Sequence, residues 1–193
     1  MIQQTAYDDM LAYVKKYHAE QVRNKEHPLP YWTHCYGVAA ITKHYLEQYL
    51  PKTDHTAIVL AALGHDLYED TAATREEVRN RYGERVDELI FGLTNEHSDA
   101  DRAAYMEKML VSPEAVIIVK MADMIENMQS VYYNIDILGT AFLDTFFMPI
   151  MDDSMKVITE YDNYIDYLEV AKVMLAHAKL NYELLSGMRG VAL

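Results

Sequence analysis

The amino-acid sequence predicts an all-α fold in a single domain. Apolar residues recur at three- and four-residue steps along nearly the whole chain, which is the period of helices with one buried face. No segment shows the two-residue alternation that is typical of a half-buried strand. Only seven glycines and five prolines occur, and no stretch has the composition of a flexible linker. Residues 1–193 are therefore expected to form one domain.

Three helices are predicted in the first third of the chain. The first covers residues 5–22, where apolar side chains keep helical spacing. The second starts near Tyr31 and ends at Pro51, because proline cannot continue a helix. The third is expected to begin at a cap formed by Asp54 and to carry His65 and Asp66.

Two shorter helices are predicted next. Residues Thr74 to Glu77 have the spacing of a capping box, and Gly83 stands where the first of these helices should stop. The second runs from Glu84 toward Leu93 and ends in a polar break at residues 95–98.

The remainder of the chain is predicted to be helical as well. The dipeptide Ser112-Pro113 combines a capping residue with a first-turn proline, and it signals a helix that reaches about Ser130. Residues 131–193 are rich in Tyr, Phe, Met and Leu and are expected to form two or more helices that cover the core. A core at about residues 5–130 would thus carry a C-terminal helical extension.

Composition excludes several classes of partner. The formal net charge is −13 and no tract is rich in Lys or Arg, so DNA or RNA polymers would be repelled, while a small phosphorylated ligand stays possible. No apolar run is long enough to span a bilayer, and the N-terminus lacks the pattern of a secretory signal. The single cysteine, Cys35, excludes an internal disulfide framework and is expected to be a small buried residue. A cytoplasmic protein without a membrane partner is expected.

Ionisable residues follow the apolar run at residues 57–63. They are His65, Asp66, Glu69 and Asp70. On a continuous helix, residues four positions apart share a face. Burying carboxylates without a partner costs much free energy, and a bound cation removes that cost. The segment therefore predicts part of a metal site.

Two other positions can supply further ligands. His34 lies near the start of the second predicted helix, and Asp123 lies inside the apolar run 116–124, where a carboxylate is unexpected. Asn127 stands one turn after Asp123 on the same face. Two imidazoles and two carboxylates suit a divalent first-row ion and leave coordination positions open. The predicted metal ligands are His34, His65, Asp66 and Asp123.

The order of these four residues resembles the HD phosphohydrolase superfamily, and the flanking motifs resemble the hydrolase domain of RelA/SpoT homologues. These motifs are Tyr31-x-x-His34, Ala61-Ala62-Leu63-Gly64-His65-Asp66-x-x-Glu69-Asp70-Thr71, Tyr82-Gly83, Lys120-x-Ala122-Asp123-x-x-x-Asn127-Met128 and, toward the N-terminus, His18-x-x-Gln21-x-Arg23. The resemblance covers roughly residues 5–130 and implies an HD-type helical domain. Residues 1–193 show no resemblance to the synthetase and regulatory domains of the long enzymes, so stand-alone small alarmone hydrolases are expected to be the closer comparison.

The resemblance implies a reaction. The four predicted ligands would bind one divalent ion, typically manganese in this family, while Glu69 and Asp70 would position and deprotonate the attacking water. A bound cation acidifies its water and offsets developing charge, and two neighbouring carboxylates push their pKa values apart, which suits water activation. The family reaction removes the 3′-pyrophosphate from ppGpp or pppGpp and leaves GDP or GTP.

Three residues are assigned to the nucleotide. The resemblance implies that Arg23 lies against the guanine base and that Asn127 contacts the nucleotide. Lys120 can neutralise phosphate, although a surface lysine or a partner for Asp123 is equally consistent with the sequence. Six further histidines are given no chemical role: His18, His27, His44, His55, His97 and His177.

The sequence departs from the family at two positions. Met124 replaces the usual basic residue after the metal-binding aspartate, and Glu126 replaces an aromatic residue or histidine before the asparagine. A lost cation and a gained carboxylate both weaken the attraction for a heavily phosphorylated guanosine. Two alternatives stay open: an HD-type phosphatase or pyrophosphatase that acts on another nucleotide, and a catalytically silent nucleotide sensor.

Overall fold

The computed structural model describes residues 4–23, 25, 28–95 and 102–190. Within these ranges the chain forms eleven α-helices and one π-helical segment, and its only extended pairing is an isolated bridge between Val22 and Pro30. The all-α prediction is confirmed. No helix among the described residues combines the length and the apolar character needed to cross a membrane.

The helices divide into two halves along the chain. The first half contains α1 (Gln4–Tyr17), α2 (Trp32–Tyr49), α3 (Thr56–Leu63), α4 (Leu67–Asp70), α5 (Arg75–Tyr82) and α6 (Glu84–Leu93). The second half contains α7 (Arg102–Leu110), α8 (Glu114–Tyr133), α9 (Ile135–Phe142), the π-helical segment Leu143–Phe147, α10 (Met148–Glu160) and α11 (Leu168–Ser186).

Helices α3 and α8 lie at the centre of the core. Residues 58–63 of α3 are all buried, as are residues 115–119 and 121–125 of α8. Helix α2 packs against both, and α11 covers α8 on another side. Cys35, on α2, is buried as expected. Asp123 is the one charged side chain in the buried runs of α8, so the centre of the core carries a candidate site residue.

Several helix boundaries follow signals in the sequence. Thr74 and Glu77 form the predicted capping box at the start of α5. Gly83 separates α5 from α6 with a φ of +92°, a conformation that favours glycine. Asp54 was predicted to cap the third helix, but His55 occupies the cap position of α3; the Asp54 carboxylate accepts a hydrogen bond of 3.0 Å from the Thr56 amide just outside it.

The prediction that one continuous helix carries His65 and Asp66 is wrong, because α3 ends at Leu63. A Cβ atom on Gly64 would lie 2.8 Å from the Ile90 side chain, so glycine permits close packing at this helix end. The two ionisable residues lie in the turn before α4. Adjacent residues on a helix point about 100° apart, and the turn instead lets both reach the same place.

Helix α1 also ends earlier than predicted, at Tyr17 rather than near Val22. A loop follows α1, and a hydrogen bond joins its two ends: the Tyr31 amide donates to the Gln21 carbonyl at 2.9 Å. Pairing within this loop replaces the helical hydrogen bonds that the apolar spacing had suggested.

The region around α7 differs from the prediction as well. Helix α7 was not predicted, and the Ser112 hydroxyl donates to the Lys108 carbonyl at its end instead of capping α8. Helix α8 starts after Pro113 and continues past Ser130 to Tyr133. The predicted break at residues 95–98, apart from Asn95, lies outside the described residues, as do His27 and His97.

Candidate metal centre

The structure brings the four predicted metal ligands together. His34 lies in the first turn of α2, His65 and Asp66 lie in the turn between α3 and α4, and Asp123 lies midway along α8. His34 Nε2 is 3.2 Å from His65 Nε2 and 3.3 Å from Asp123 Oδ1. His65 Nε2 is 3.0 Å from Asp66 Oδ2 and 3.7 Å from Asp123 Oδ1.

Most of this ligand cluster is shielded from solvent. The exposed fractions of His34, His65 and Asp123 are 3%, 4% and 7%, and Asp66 is half-buried. Burial alone would lower the pKa of His65, but the carboxylates of Asp66 and Asp123 outweigh it and raise that pKa well above its ordinary value. The carboxylates thus favour a positive charge among these atoms.

The two imidazoles are oriented as metal ligands usually are. His65 Nδ1 lies 2.9 Å from the Ala62 carbonyl, and His34 Nδ1 is hydrogen-bonded to Glu126 Oε2. A proton held on Nδ1 leaves the lone pair on Nε2, and both Nε2 atoms face the centre of the cluster. His34, His65 and Asp66 can place their ligand atoms within 4.8 Å of one another. The donor set therefore fits a divalent first-row ion.

Neighbouring donors fix the two carboxylates. The Tyr31 hydroxyl donates to Asp66 Oδ2 at 2.9 Å. Asp123 accepts from Asn127 Nδ2 at 2.6 Å and from Lys120 Nζ at 2.9 Å. Burial would raise the pKa of Asp123, but Lys120 and the two imidazoles hold it well below its ordinary value. Of the alternatives for Lys120, the structure shows a half-buried partner of Asp123 rather than a surface lysine.

Glu126 supports the ligand cluster, a role that was not predicted from the sequence. Its Oε2 receives the His34 Nδ1 contact and lies 3.1 Å from Arg23 Nη1. Arg23 also donates to Asn127 Oδ1 at 3.2 Å. A Cβ atom on Gly37, one turn after His34, would lie 2.9 Å from Glu126 Cγ. The position of Glu126 one turn after Asp123 was the available signal, but its partner on α2 could not be deduced from spacing.

Glu69 and Asp70 lie on the one-turn helix α4, and both are exposed. Glu69 Oε2 accepts from the Asn95 amide at 3.0 Å. Partial loss of water and the nearby Asp66 charge raise the pKa of each carboxyl. Glu69 lines the cavity that holds the ligand cluster, whereas Asp70 joins it in lining a neighbouring cavity. Of the two carboxylates, only Glu69 lines the cavity of the ligand cluster, so its position fits the predicted action on water better than that of Asp70.

The ligand cluster opens into a polar cavity of about 270 Å³. Two cationic side chains line it, Lys120 and Arg102, and the second was not singled out from the sequence. Arg102 also pairs with Asp153 at 3.1 Å. A polar cavity with carboxylates at one point and cations at others suits a phosphorylated ligand bridged by a metal ion.

A second cavity, of about 320 Å³, adjoins the first and is mainly apolar. The two share Tyr31, Asn127 and Ile150. Arg23 lines the second cavity, and its apolar wall includes Leu138, Phe142, Phe146, Phe147 and Met151. The structure thus brings Arg23 and Asn127 to a mainly apolar space beside the ligand cluster, and its aromatic lining suits an aromatic ring system.

The chain is similar to one described protein family and to two proteins whose activity is described. Residues 11–134 match the family described as HD domain. The chain is 33% identical over 135 residues to a guanosine-3′,5′-bis(diphosphate) 3′-pyrophosphohydrolase of Aquifex aeolicus, covering 67% of this chain and 18% of that protein. It is 33% identical over 146 residues to the protein of the same description from Spiroplasma citri, covering 67% and 17%. The chain therefore spans less than a fifth of the length of these relatives.

A solved structure has a similar fold along the whole chain. It belongs to a metazoan ortholog of SpoT that is described as hydrolysing ppGpp. The TM-score is 0.71 at 21% identity, covering 100% of this chain and 99% of that one. At this identity the likeness shows a shared helical fold, including the helices that follow α8.

Proposed function

The chain belongs to the HD domain family, and on this basis we propose that it is a metal-dependent nucleotide phosphohydrolase. One observation carries the proposal: two buried imidazoles direct their Nε2 atoms at two carboxylates, at distances of 3.0 to 3.7 Å. A structural role alone does not require four such groups on three separate segments. Manganese is the proposed ion.

The four side chains of the ligand cluster would hold that ion. Bound there, a divalent ion supplies polarisation of a phosphoryl oxygen and a water of lowered pKa. Glu69 lines the same cavity, and its raised pKa suits a general base that takes a proton from the attacking water. Lys120 lines the cavity as well, where its charge offsets that of the phosphoryl group during attack.

We further propose that the substrate is a guanosine tetraphosphate or pentaphosphate, (p)ppGpp, and that its 3′-pyrophosphate is released. Two relatives carry that activity in their description. The polar cavity would take the pyrophosphate, and the apolar cavity would take the base between Arg23 and the aromatic wall. Asn127 lines both cavities and would contact the sugar that joins these parts.

A second candidate is a phosphatase or pyrophosphatase that acts on another nucleotide. It is favoured by the ion pair of Arg23 with Glu126, at 3.1 Å. Because Glu126 offsets the Arg23 charge, the nucleoside end of the site attracts extra phosphates less strongly than an unpaired arginine would. A substrate with fewer phosphates on that side fits this charge distribution.

A substrate panel with added manganese tests these proposals. We expect pyrophosphate together with GDP or GTP from ppGpp and pppGpp, and no turnover of cyclic nucleotides or nucleoside monophosphates. Release of orthophosphate, or turnover of a different nucleotide, would support the second candidate. Measurable nucleotide affinity without any turnover would contradict both candidates and indicate a nucleotide sensor.

A further inference from the structure

His18 is fully buried, although no chemical role was predicted for it. Its Nδ1 lies 2.6 Å from Gln21 Oε1, and its ring stacks on Tyr31 with centroids 5.0 Å apart. Among the described residues its Nε2 is buried without a hydrogen-bond partner. Burying an unpaired ring nitrogen costs free energy. The hydrogen bond to Gln21 and the stacking on Tyr31 must therefore offset that cost and keep the ring buried.

Gln21 links this buried ring to α4. Its Nε2 donates to the Asp70 carbonyl oxygen at 2.7 Å. Since a carbonyl can only accept, the amide nitrogen of Gln21 must face Asp70 and its Oε1 must face His18. The proton shared between His18 and Gln21 therefore belongs to Nδ1 of His18, and the imidazole fixes the orientation of the Gln21 amide.

The stacked face of His18 makes a second connection. Tyr31 donates its hydroxyl to Asp66 Oδ2 at 2.9 Å, and its backbone amide donates to the Gln21 carbonyl at 2.9 Å. One buried imidazole thus contacts the side chains that hold Asp66 and the backbone of Asp70. These two carboxylates stand at opposite ends of α4.

Helix α4 depends on such outside contacts. It has four residues, and a single helical turn is not stable by itself. Its last carbonyls have no partner within the helix. The Gln21 amide satisfies Asp70, and the Thr71 hydroxyl satisfies Leu67 at 2.5 Å. Losing the Gln21 contact would therefore release the end of α4 where Glu69 and Asp70 lie.

We propose that His18 and Gln21 are positioning residues that hold the Glu69–Asp70 pair in place beside the ligand cluster. This inference rests on the proposed function, because it is that reaction in which the pair would handle the attacking water. Neither positioning residue touches the substrate or the metal ion. Both act by fixing the backbone of α4.

Three variants separate the contacts. Gln21→Glu keeps an acceptor for His18 and removes the donor to Asp70, while His18→Phe keeps a ring against Tyr31 and removes the Nδ1 donor. His18→Asn retains an amide donor near the Nδ1 position and is the conservative variant. Gln48→Glu makes the same charge change on the exposed face of α2 and serves as the control.

The expected kinetic result is a fall in kcat with little change in KM or in manganese stoichiometry. We expect Gln21→Glu and His18→Phe to lower kcat by about tenfold, since small displacements of a reacting group are costly. KM and manganese stoichiometry should stay within about twofold of wild type, and His18→Asn should retain most of the activity. A purely structural role would not separate kcat from KM in this way.

Amide hydrogen exchange supplies a readout that needs no turnover. Residues 67–71 should exchange faster in Gln21→Glu and His18→Phe than in wild type, while α11 should be unchanged. An unchanged exchange rate at residues 67–71, or an unchanged kcat in an active enzyme, overturns the inference. If the wild type turns over no nucleotide while exchange rises in the variants, the proposed function fails and the positioning contacts stand. If His18→Phe does not fold, Gln21→Glu decides, since Gln21 is only half-buried.

Discussion

Glu126 on α8 holds His34 on α2 by accepting a hydrogen bond from the imidazole Nδ1. The contact joins two helices that supply different members of the ligand cluster. It fixes which nitrogen of His34 faces the centre, and it orients the ring before any ion binds. The carboxylate that departs from the family pattern is thus part of the support of the candidate metal centre.

Removing Glu126 should weaken metal binding. We expect Glu126→Ala to lower manganese affinity by about 10- to 100-fold, because the His34 ring loses its fixed orientation and an acceptor for its proton. Isothermal titration with manganese measures the effect. Glu47→Ala, an exposed substitution on α2, should leave the affinity unchanged. Equal affinities for the two variants would contradict the supporting role of Glu126.

Gly37 should be sensitive to the smallest possible side chain. A methyl group there would lie 2.9 Å from Glu126 Cγ, so Gly37→Ala should displace Glu126 and reduce manganese affinity by about tenfold. Alanine favours a helix by about 0.5–1 kcal/mol over glycine. Because this gain offsets the cost of displacing the Glu126 side chain, we expect the free energy of unfolding to change little. Retained affinity in Gly37→Ala would mean that Glu126 adjusts without losing His34.

Asp66 should be needed for metal binding itself. Its Oδ2 lies 3.0 Å from His65 Nε2 and 3.5 Å from His34 Nε2, so replacing Asp66 with alanine removes one of the four predicted ligand side chains. Asp66→Ala should lose both bound metal and activity. Elemental analysis of the purified variant provides the measurement, and a metal content equal to that of wild type would refute the ligand assignment.

Changing both carboxylates of α4 should reduce activity without loss of the bound metal. The double variant Glu69→Gln, Asp70→Asn should keep its metal content while kcat falls by about 100-fold or more, as expected when a general base is lost. Metal content and single-turnover rates on the same preparation distinguish the two effects. Loss of metal from this variant would show that one of these residues coordinates the ion directly.

Acid sensitivity should arise from Asp87, which is fully buried on α6. Burial raises its pKa, but hydrogen bonds from Arg75, Arg79 and Tyr68 outweigh burial and lower the pKa below its ordinary value of 3.8. A depressed folded-state pKa stabilises the protein above pH 3.8, and this contribution is lost as pH falls through the folded-state pKa.

Asp87→Asn tests that dependence. It should reduce the free energy of unfolding at pH 7 by about 1–3 kcal/mol, because two arginine contacts lose their charged acceptor. It should also flatten the decline in stability below pH 4. Urea unfolding at pH 7 and at several lower pH values measures both effects. A variant with the wild-type decline would show that other carboxylates dominate acid unfolding.

Local patterns predicted much of the fold because they report short-range physics. The capping box at Thr74 and the glycine at position 83 act within one turn of chain, and both boundaries were found. The end of α3 at Leu63 was missed although Gly64 directly follows it, and the contact that Gly64 permits with Ile90 joins residues distant in sequence.

The same contrast between local patterns and contacts distant in sequence applies to the candidate site. The four members of the ligand cluster were predicted from local sequence: Asp123 stands inside an apolar run, His65 and Asp66 directly follow one, and His34 lies near the start of a helix. The residues that support the site were harder to predict, because Glu126 contacts His34, and Gln21 contacts Asp70 on α4, only after folding. No spacing rule relates residues on separate helices.

The aromatic wall of the second cavity comes from Phe142, Phe146 and Phe147, which follow the segment matched by the HD domain family at residues 11–134. Under the proposed function, in which this cavity takes the base, nucleoside preference could therefore diverge through changes in a late stretch of the polypeptide while the ligand cluster stays constant. Swapping that stretch between homologues offers a route to altered ligand preference without rebuilding the reaction centre.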